Sequence, residues 1–131
     1  MIGIDTNVLV RAFLEDEATQ AHLAQIFMEN TAKSGNLFIS SYALLEFVWV
    51  LKVKKFSREE IYNAVITLTD SQGITIGQRD VILTAIEKFY KGKADFGDYM
   101  ILAEGEKNGA QLLKTFDQTF AEESSYISAP D

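Results

Sequence analysis

Apolar residues in this chain form two kinds of run, and the two kinds alternate. The short unbroken ones are Met1 to Ile4, Leu37-Phe38-Ile39, Ile74-Thr75-Ile76, Leu112 to Thr115 and a last piece at Tyr126 to Ser128. Each has the length of a strand. Between them, apolar positions recur every three or four residues, which is the helical period. One helix is predicted from about Thr6 and a second after Asp16, with Leu23, Ile26 and Phe27 as its apolar stripe and Ser34-Gly35-Asn36 as its stop. A third, capped by Ser40 or Ser41, carries Leu44, Leu45, Phe47, Val48, Trp49, Val50 and Leu51; apolar on nearly every side, it is expected to be buried. Ser57-Arg58-Glu59-Glu60 has capping-box spacing ahead of Ile61, Ala64, Val65 and Leu68. Further helices are marked by Ile82, Ala85, Ile86 and Phe89, and by Asp98, Ile101, Leu102 and Gly105 up to an Asn108-Gly109 stop.

Strands alternating with helices of ten or more residues predict the α/β class, a parallel sheet covered by helices on both faces in a three-layer α/β/α sandwich. Right-handed crossovers bring the strands' carboxyl ends to one edge, where ligands of such sheets bind. That edge is expected to collect Asp5, which ends the first strand, and Asp117, which follows the fourth. No linker, repeat or low-complexity tract interrupts residues 1–131, and the one proline is Pro130, so a single domain is expected.

Composition narrows the chemistry. With 47% apolar and 24% charged residues the chain is of ordinary globular type, and with no cysteine it offers neither a thiolate metal site nor a cysteine nucleophile. It has no basic-then-apolar leader and no apolar run of spanning length, so a cytoplasmic protein without a membrane partner is expected. A net charge of -7 opposes broad adhesion to nucleic acid, unless cations supply the missing positive charge. The one histidine, His22, lies on a polar stretch and reads as a surface residue.

Acidic residues carry the candidate chemistry. Glu46 interrupts Leu44-Leu45-Glu46-Phe47-Val48, where an ionised carboxylate is costly unless it is paired, for instance with Arg11, or metal-bound. Asp95 and Asp98 stand three apart, so on a helix they share a side; the bland role for Asp95 is an N-cap. Asp117 reads equally as a turn residue. Taken together, the acids suit one or two divalent cations with oxygen ligands, which activate water for attack at phosphorus. Thr6, Asn7 and Thr115 are candidates to hydrogen-bond the acids from behind.

Asp5-Thr6-Asn7-Val8-Leu9, Glu46 after a serine-containing strand-to-helix junction, Asp98-Tyr99-Met100-Ile101-Leu102-Ala103, and Thr115-Phe116-Asp117-Gln118-Thr119-Phe120 resemble the four acidic motifs of the PIN domain family, in order and across essentially the whole chain. Compact size makes the chain similar to the toxin ribonucleases of that family. The resemblance implies a Mg2+- or Mn2+-dependent endoribonuclease acting on structured RNA, a homodimer, and inhibition by a small antitoxin protein. It also implies metal-binding roles for Asp5, Glu46, Asp98 and Asp117, with Asp95 as an accessory acid. Asp98 is preferred to Asp95 because the apolar pattern after it fits better. A dehalogenase-like phosphatase would need a second aspartate where Asn7 stands. A domain of the same fold that only binds RNA or protein is the non-enzyme alternative, and aromatic residues Phe47, Trp49, Phe56 and Tyr62 would offer it an apolar groove.

Overall fold

A computed structural model describes all residues, Met1–Asp131, and they fall into two compact units, Met1–Arg79 and Asp80–Asp131. In the first unit the order is β1 (Ile2–Ile4), α1 (Thr6–Leu14), α2 (Ala18–Lys33), β2 (Leu37–Ile39), α3 (Ser41–Val53), α4 (Arg58–Asp70) and β3 (Ile74–Ile76). The three strands form one parallel sheet in the order β1-β2-β3, with Ile4 registered against Ile39 and Ile39 against Ile76. Parallel neighbours need long crossovers, and here each is a pair of helices. Central β2 is sealed, with Leu37 and Ile39 fully buried, as are Leu44, Phe47 and Leu51 of α3.

Local sequence sets the boundaries. Gly35 adopts φ 73° in the stop after α2, as the Ser34-Gly35-Asn36 signal predicts. The Ser40 hydroxyl accepts from Tyr42 N–H at 3.1 Å and starts α3. At α4 the capping box is complete: Glu60 N–H donates to Ser57 Oγ at 3.1 Å, and Ser57 N–H donates to Glu60 Oε1 at 2.8 Å.

Two faces differ from expectation. The stripe Leu23, Ile26 and Phe27 on α2 is exposed, whereas Ala21, Ala24 and Thr31 are the residues that α2, packed on α1, buries. Small residues let the two backbones approach, and the large apolar ones are left outside. Helix α3 is also not buried all round, because Tyr42, Glu46, Trp49 and Val53 line one exposed face.

The second unit contains α5 (Arg79–Lys91, whose first residue closes the first unit), α6 (Phe96–Lys107), β4 (Leu113–Lys114), α7 (Gln118–Ala121) and β5 (Ile127–Ser128). Its strands pair in parallel as a separate two-stranded sheet, so the expectation of one sheet carrying both Asp5 and Asp117 on its edge is corrected to two sheets. The physical reason is the length of β4: two residues pair only with β5, and Leu112 stays exposed ahead of them. Ile82, Ala85, Ile86 and Phe89 of α5 are buried as their spacing predicts, and Phe89 meets Phe96 edge-on at 6.1 Å. Lys107 Nζ lies 3.0 Å from Asp80 Oδ2, and this hydrogen bond, with Val81 N–H, holds the Asp80 carboxyl below its ordinary pKa. No helix is long and apolar enough to cross a membrane.

Candidate active site

In the first unit, parallel register makes the carboxyl ends of β1 and β2 neighbours, so Asp5 and Ser40 leave the sheet side by side. Asp5 is extended (φ -88°, ψ 177°) and caps α1, its Oδ1 accepting from Val8 N–H at 3.1 Å. Its second carboxylate oxygen has no protein partner. Asp5 is exposed, and the positive end of the α1 dipole offsets its charge.

Glu46 sits less than two turns into α3, exposed between Tyr42 and Trp49, and makes no hydrogen bond or ion pair with the protein. Its predicted cost of burial therefore never arises. The bland alternative, pairing with Arg11, is not formed either: Arg11 Nη1 lies 3.2 Å from Asp16 Oδ1, and Arg11 Nε donates to Gln20 Oε1 at 2.8 Å.

In the second unit Asp95 is the N-cap of α6, as its bland reading had it, and Asp98 three residues on reaches back so that Asp95 N–H donates to Asp98 Oδ2 at 3.3 Å. Asp98 is half-buried and Asp95 exposed. Asp117 repeats the arrangement of Asp5: it follows a strand and caps a helix, with Oδ1 accepting from Phe120 N–H at 3.1 Å. Behind it, Asp117 N–H donates to Thr115 Oγ1 at 3.0 Å. Of the three proposed supporting side chains, Thr115 makes this bond; Thr6 and Asn7 bond to no protein group, and Asn7 instead lines the cavity beside Asp5.

Within either unit the acids do not gather in threes: Asp5 and Glu46 belong to one, Asp95, Asp98 and Asp117 to the other. Their chemistry still suits a hard divalent cation. Asp5 and Asp117 each keep an oxygen without a protein partner and Glu46 keeps both, and magnesium takes only one or two direct carboxylates among its waters.

Two contributions escaped sequence reasoning. Tyr99 is buried in α6, packs edge-on against Phe120 at 5.8 Å, and donates its hydroxyl proton to Glu123 within 2.6 Å of Oε1. The same hydroxyl accepts from Ala94 N–H at 3.1 Å, and Glu123 Oε1 accepts from Lys93 N–H at 2.8 Å. This knot fixes the turn that begins α6, and with it Asp98; nothing in residue spacing ties Tyr99 to Glu123. Arg11 is the second: the sequence offered it only as a partner for Glu46, and it lines the cavity beside Asp5 instead. The signal for it was present, since Asn7 and Arg11 stand four apart on the helix that Asp5 begins.

Comparison with known proteins gives the chain its family. The PIN domain family model matches residues 2–123, across both units, and the chain belongs to the PIN domain family. It is similar to VapC ribonuclease of Aquifex aeolicus (strain VF5), 26% identical over 118 residues that cover 89% of this chain and 87% of that protein. No solved structure matches the chain significantly.

Proposed function

We propose that this protein is a divalent-cation-dependent endoribonuclease, the toxin of a toxin–antitoxin pair, hydrolysing RNA phosphodiester bonds with Asp5, Glu46, Asp98 and Asp117 as its metal-binding acids. The observation that carries the reading is the recurrence of one local design. Asp5 and Asp117 each follow a strand and commit one oxygen to a helix N-terminus, leaving the other for a ligand. Membership in the PIN family and likeness to a VapC ribonuclease support the substrate class.

Mg2+ or Mn2+ held there would supply Lewis-acid charge at the phosphate and lower the pKa of attacking water. The protein's part is orientation. Capping by Val8 N–H fixes the Asp5 carboxylate, the N-termini of α1 and α6 offset negative charge, and the Tyr99–Glu123 knot holds the start of α6 in place. Asp95, as the cap of α6, positions Asp98 and stands as the accessory acid. Cleavage of total RNA is expected to stop in excess EDTA and to return on adding Mg2+ or Mn2+; full activity in EDTA would reject the cation's role.

The partner reading rests on a cleft of about 470 Å³ in the first unit, lined by Leu9, Phe13, Phe47, Phe56 and Leu68 among others. Phe47 and Phe56 contribute to it as the sequence suggested, while Trp49 and Tyr62 do not line it. An amphipathic antitoxin helix would lay its apolar face there. Phe13, 40% exposed at its mouth and 5.4 Å from the Phe47 ring, is the residue to change. Phe13→Asp is expected to abolish copurification with the protein encoded by the neighbouring reading frame; retention of that partner would place the antitoxin elsewhere. We assign a homodimer on the same family footing, to be checked by sedimentation, where a monomer at micromolar concentration would contradict it.

A further inference from the structure

Beside Asp5 opens a second cavity of the first unit, about 610 Å³, whose lining includes Asp5, Asn7, Arg11, Gln20, Leu23 and Phe27. Arg11 is its one basic residue, in a chain of net charge -7. The guanidinium is held from two directions, by Gln20 at Nε and by Asp16 at Nη1. A guanidinium has five N–H groups. Two are used here, and three have no protein partner. Asp16 does not cancel the charge, because both side chains are substantially exposed (39% and 43%) and such surface pairs are weak. Its effect is to fix a planar fork in the wall of the cavity that Asp5 also lines, at little further entropic cost on binding.

Opposite chemistry lines the same space. Leu23 (64% exposed) and Phe27 (42%) are the stripe of α2 that helical periodicity would have turned inward. A cation with open donors, exposed apolar carbon and an acid with a spare oxygen together match one nucleotide of a single strand: phosphate for the fork, base for the apolar wall.

We propose that this cavity is the subsite for the nucleotide next to the scissile phosphate, with Arg11 taking its flanking phosphate and Phe27, beside Leu23, covering its base. An unpaired base is required, because a base inside a duplex offers no face to Phe27. The subsite rests on the nuclease reading above, and its test separates the two.

The test measures binding rather than turnover, in the full chain carrying Asp98→Asn so that the strand is not consumed. The probe is a fluorescein-labelled oligouridine about twelve nucleotides long, followed by anisotropy through a salt series in Mg2+. Adding Arg11→Gln is expected to weaken binding about tenfold and to reduce the slope of log affinity against log salt by about 0.7, the loss of one phosphate contact on a single strand. Arg11→Lys keeps the slope. Phe27→Ala weakens binding by roughly fivefold or more at unchanged slope. Asp16→Ala cuts the tie between Arg11 and its neighbour but leaves the cation in place, so it is expected to keep the slope. A merely structural role for Arg11 would instead make Asp16→Ala and Arg11→Gln weaken binding alike with the slope unchanged in both, and that result overturns the subsite. So does RNA binding that ignores both Arg11 and Phe27. If the Asp98→Asn protein binds no RNA at any salt, the nuclease reading fails and takes the subsite with it.

Discussion

Asp5→Asn is expected to lower RNA cleavage by about 100- to 1,000-fold or more, the scale on which removal of one charge stabiliser acts, while the fold is kept. The substitution is clean because asparagine caps helices as well as aspartate does. Its side-chain oxygen replaces the bond that Asp5 Oδ1 receives from Val8 N–H, so stability should change by less than about 1 kcal/mol. Only the negative charge disappears. Asp98→Asn should behave in the same way, since an amide oxygen can still accept from Asp95 N–H. Circular dichroism and thermal melting establish the fold, and cleavage kinetics in Mn2+ give the loss. A folded Asp5→Asn protein with undiminished activity would remove Asp5 from the site.

The largest effect on stability is expected at Gly73. With φ 82° it occupies the left-handed region just ahead of β3, and its carbonyl accepts from Leu37 N–H at 3.2 Å. A Cβ there would lie 1.8 Å from the Ala32 carbonyl oxygen and 2.7 Å from the carbonyl carbon. Neither neighbour is a side chain that can swing away. Strained φ costs about 1–2 kcal/mol for an L-residue, and backbone overlap adds about 1–3 kcal/mol or more. Gly73→Ala should therefore cost on the order of 3 kcal/mol or more, a large part of the roughly 5–15 kcal/mol that holds a domain. The melting temperature should fall by about 10 °C or more. Gly35→Ala is the internal comparison: φ is 73° but nothing lies within 4 Å of the added carbon, so only the conformational cost remains. Equal losses at the two glycines would show that the Ala32 contact does not matter.

These two residues also show what sequence pattern can and cannot reveal. Asp5 was legible because an apolar run stops at it, and a strand that ends in a capping residue fixes where the carboxylate goes. The five strands and the helices from α1 to α6 were legible for the same reason, through period and stop signals such as Gly35 and Asn108-Gly109. Gly73 stands in the sequence just ahead of the Ile74-Thr75-Ile76 run, but its closeness to Ala32 depends on how the end of α2 lies against the entry to β3, and no local pattern encodes that.

Periodicity failed where it had to say what a face meets. On α2 it marked Leu23, Ile26 and Phe27 as one side, yet Ala21 and Ala24 are the residues that pack, because close approach to α1 favours small side chains. On α3 the surplus of apolar residues hid an exposed face of Tyr42, Glu46 and Trp49, so the burial assigned to Glu46 was misplaced. Its role as a candidate ligand survives on different grounds, as an acid that no protein group satisfies. Asp95 and Asp117 were assigned capping or turn roles as alternatives to chemistry, but Asp117 shows that one carboxylate can cap with one oxygen and keep the other. Short α7 left no trace in the pattern because four residues are too few to display a helical period.

The proposal on which the rest depends is that Asp5, Glu46, Asp98 and Asp117 are ligands of divalent cations, one ion or two. Substoichiometric Mn2+ added to the 15N-labelled protein tests it directly, since the ion broadens amide resonances close to it. Broadening is predicted at Asp5 to Asn7, around Glu46, at Asp98 and at Asp117 to Thr119, and Asp5→Asn should diminish it around Glu46 as well. Broadening that spares these four acids, or that Asp5→Asn leaves unchanged around Glu46, would contradict the account.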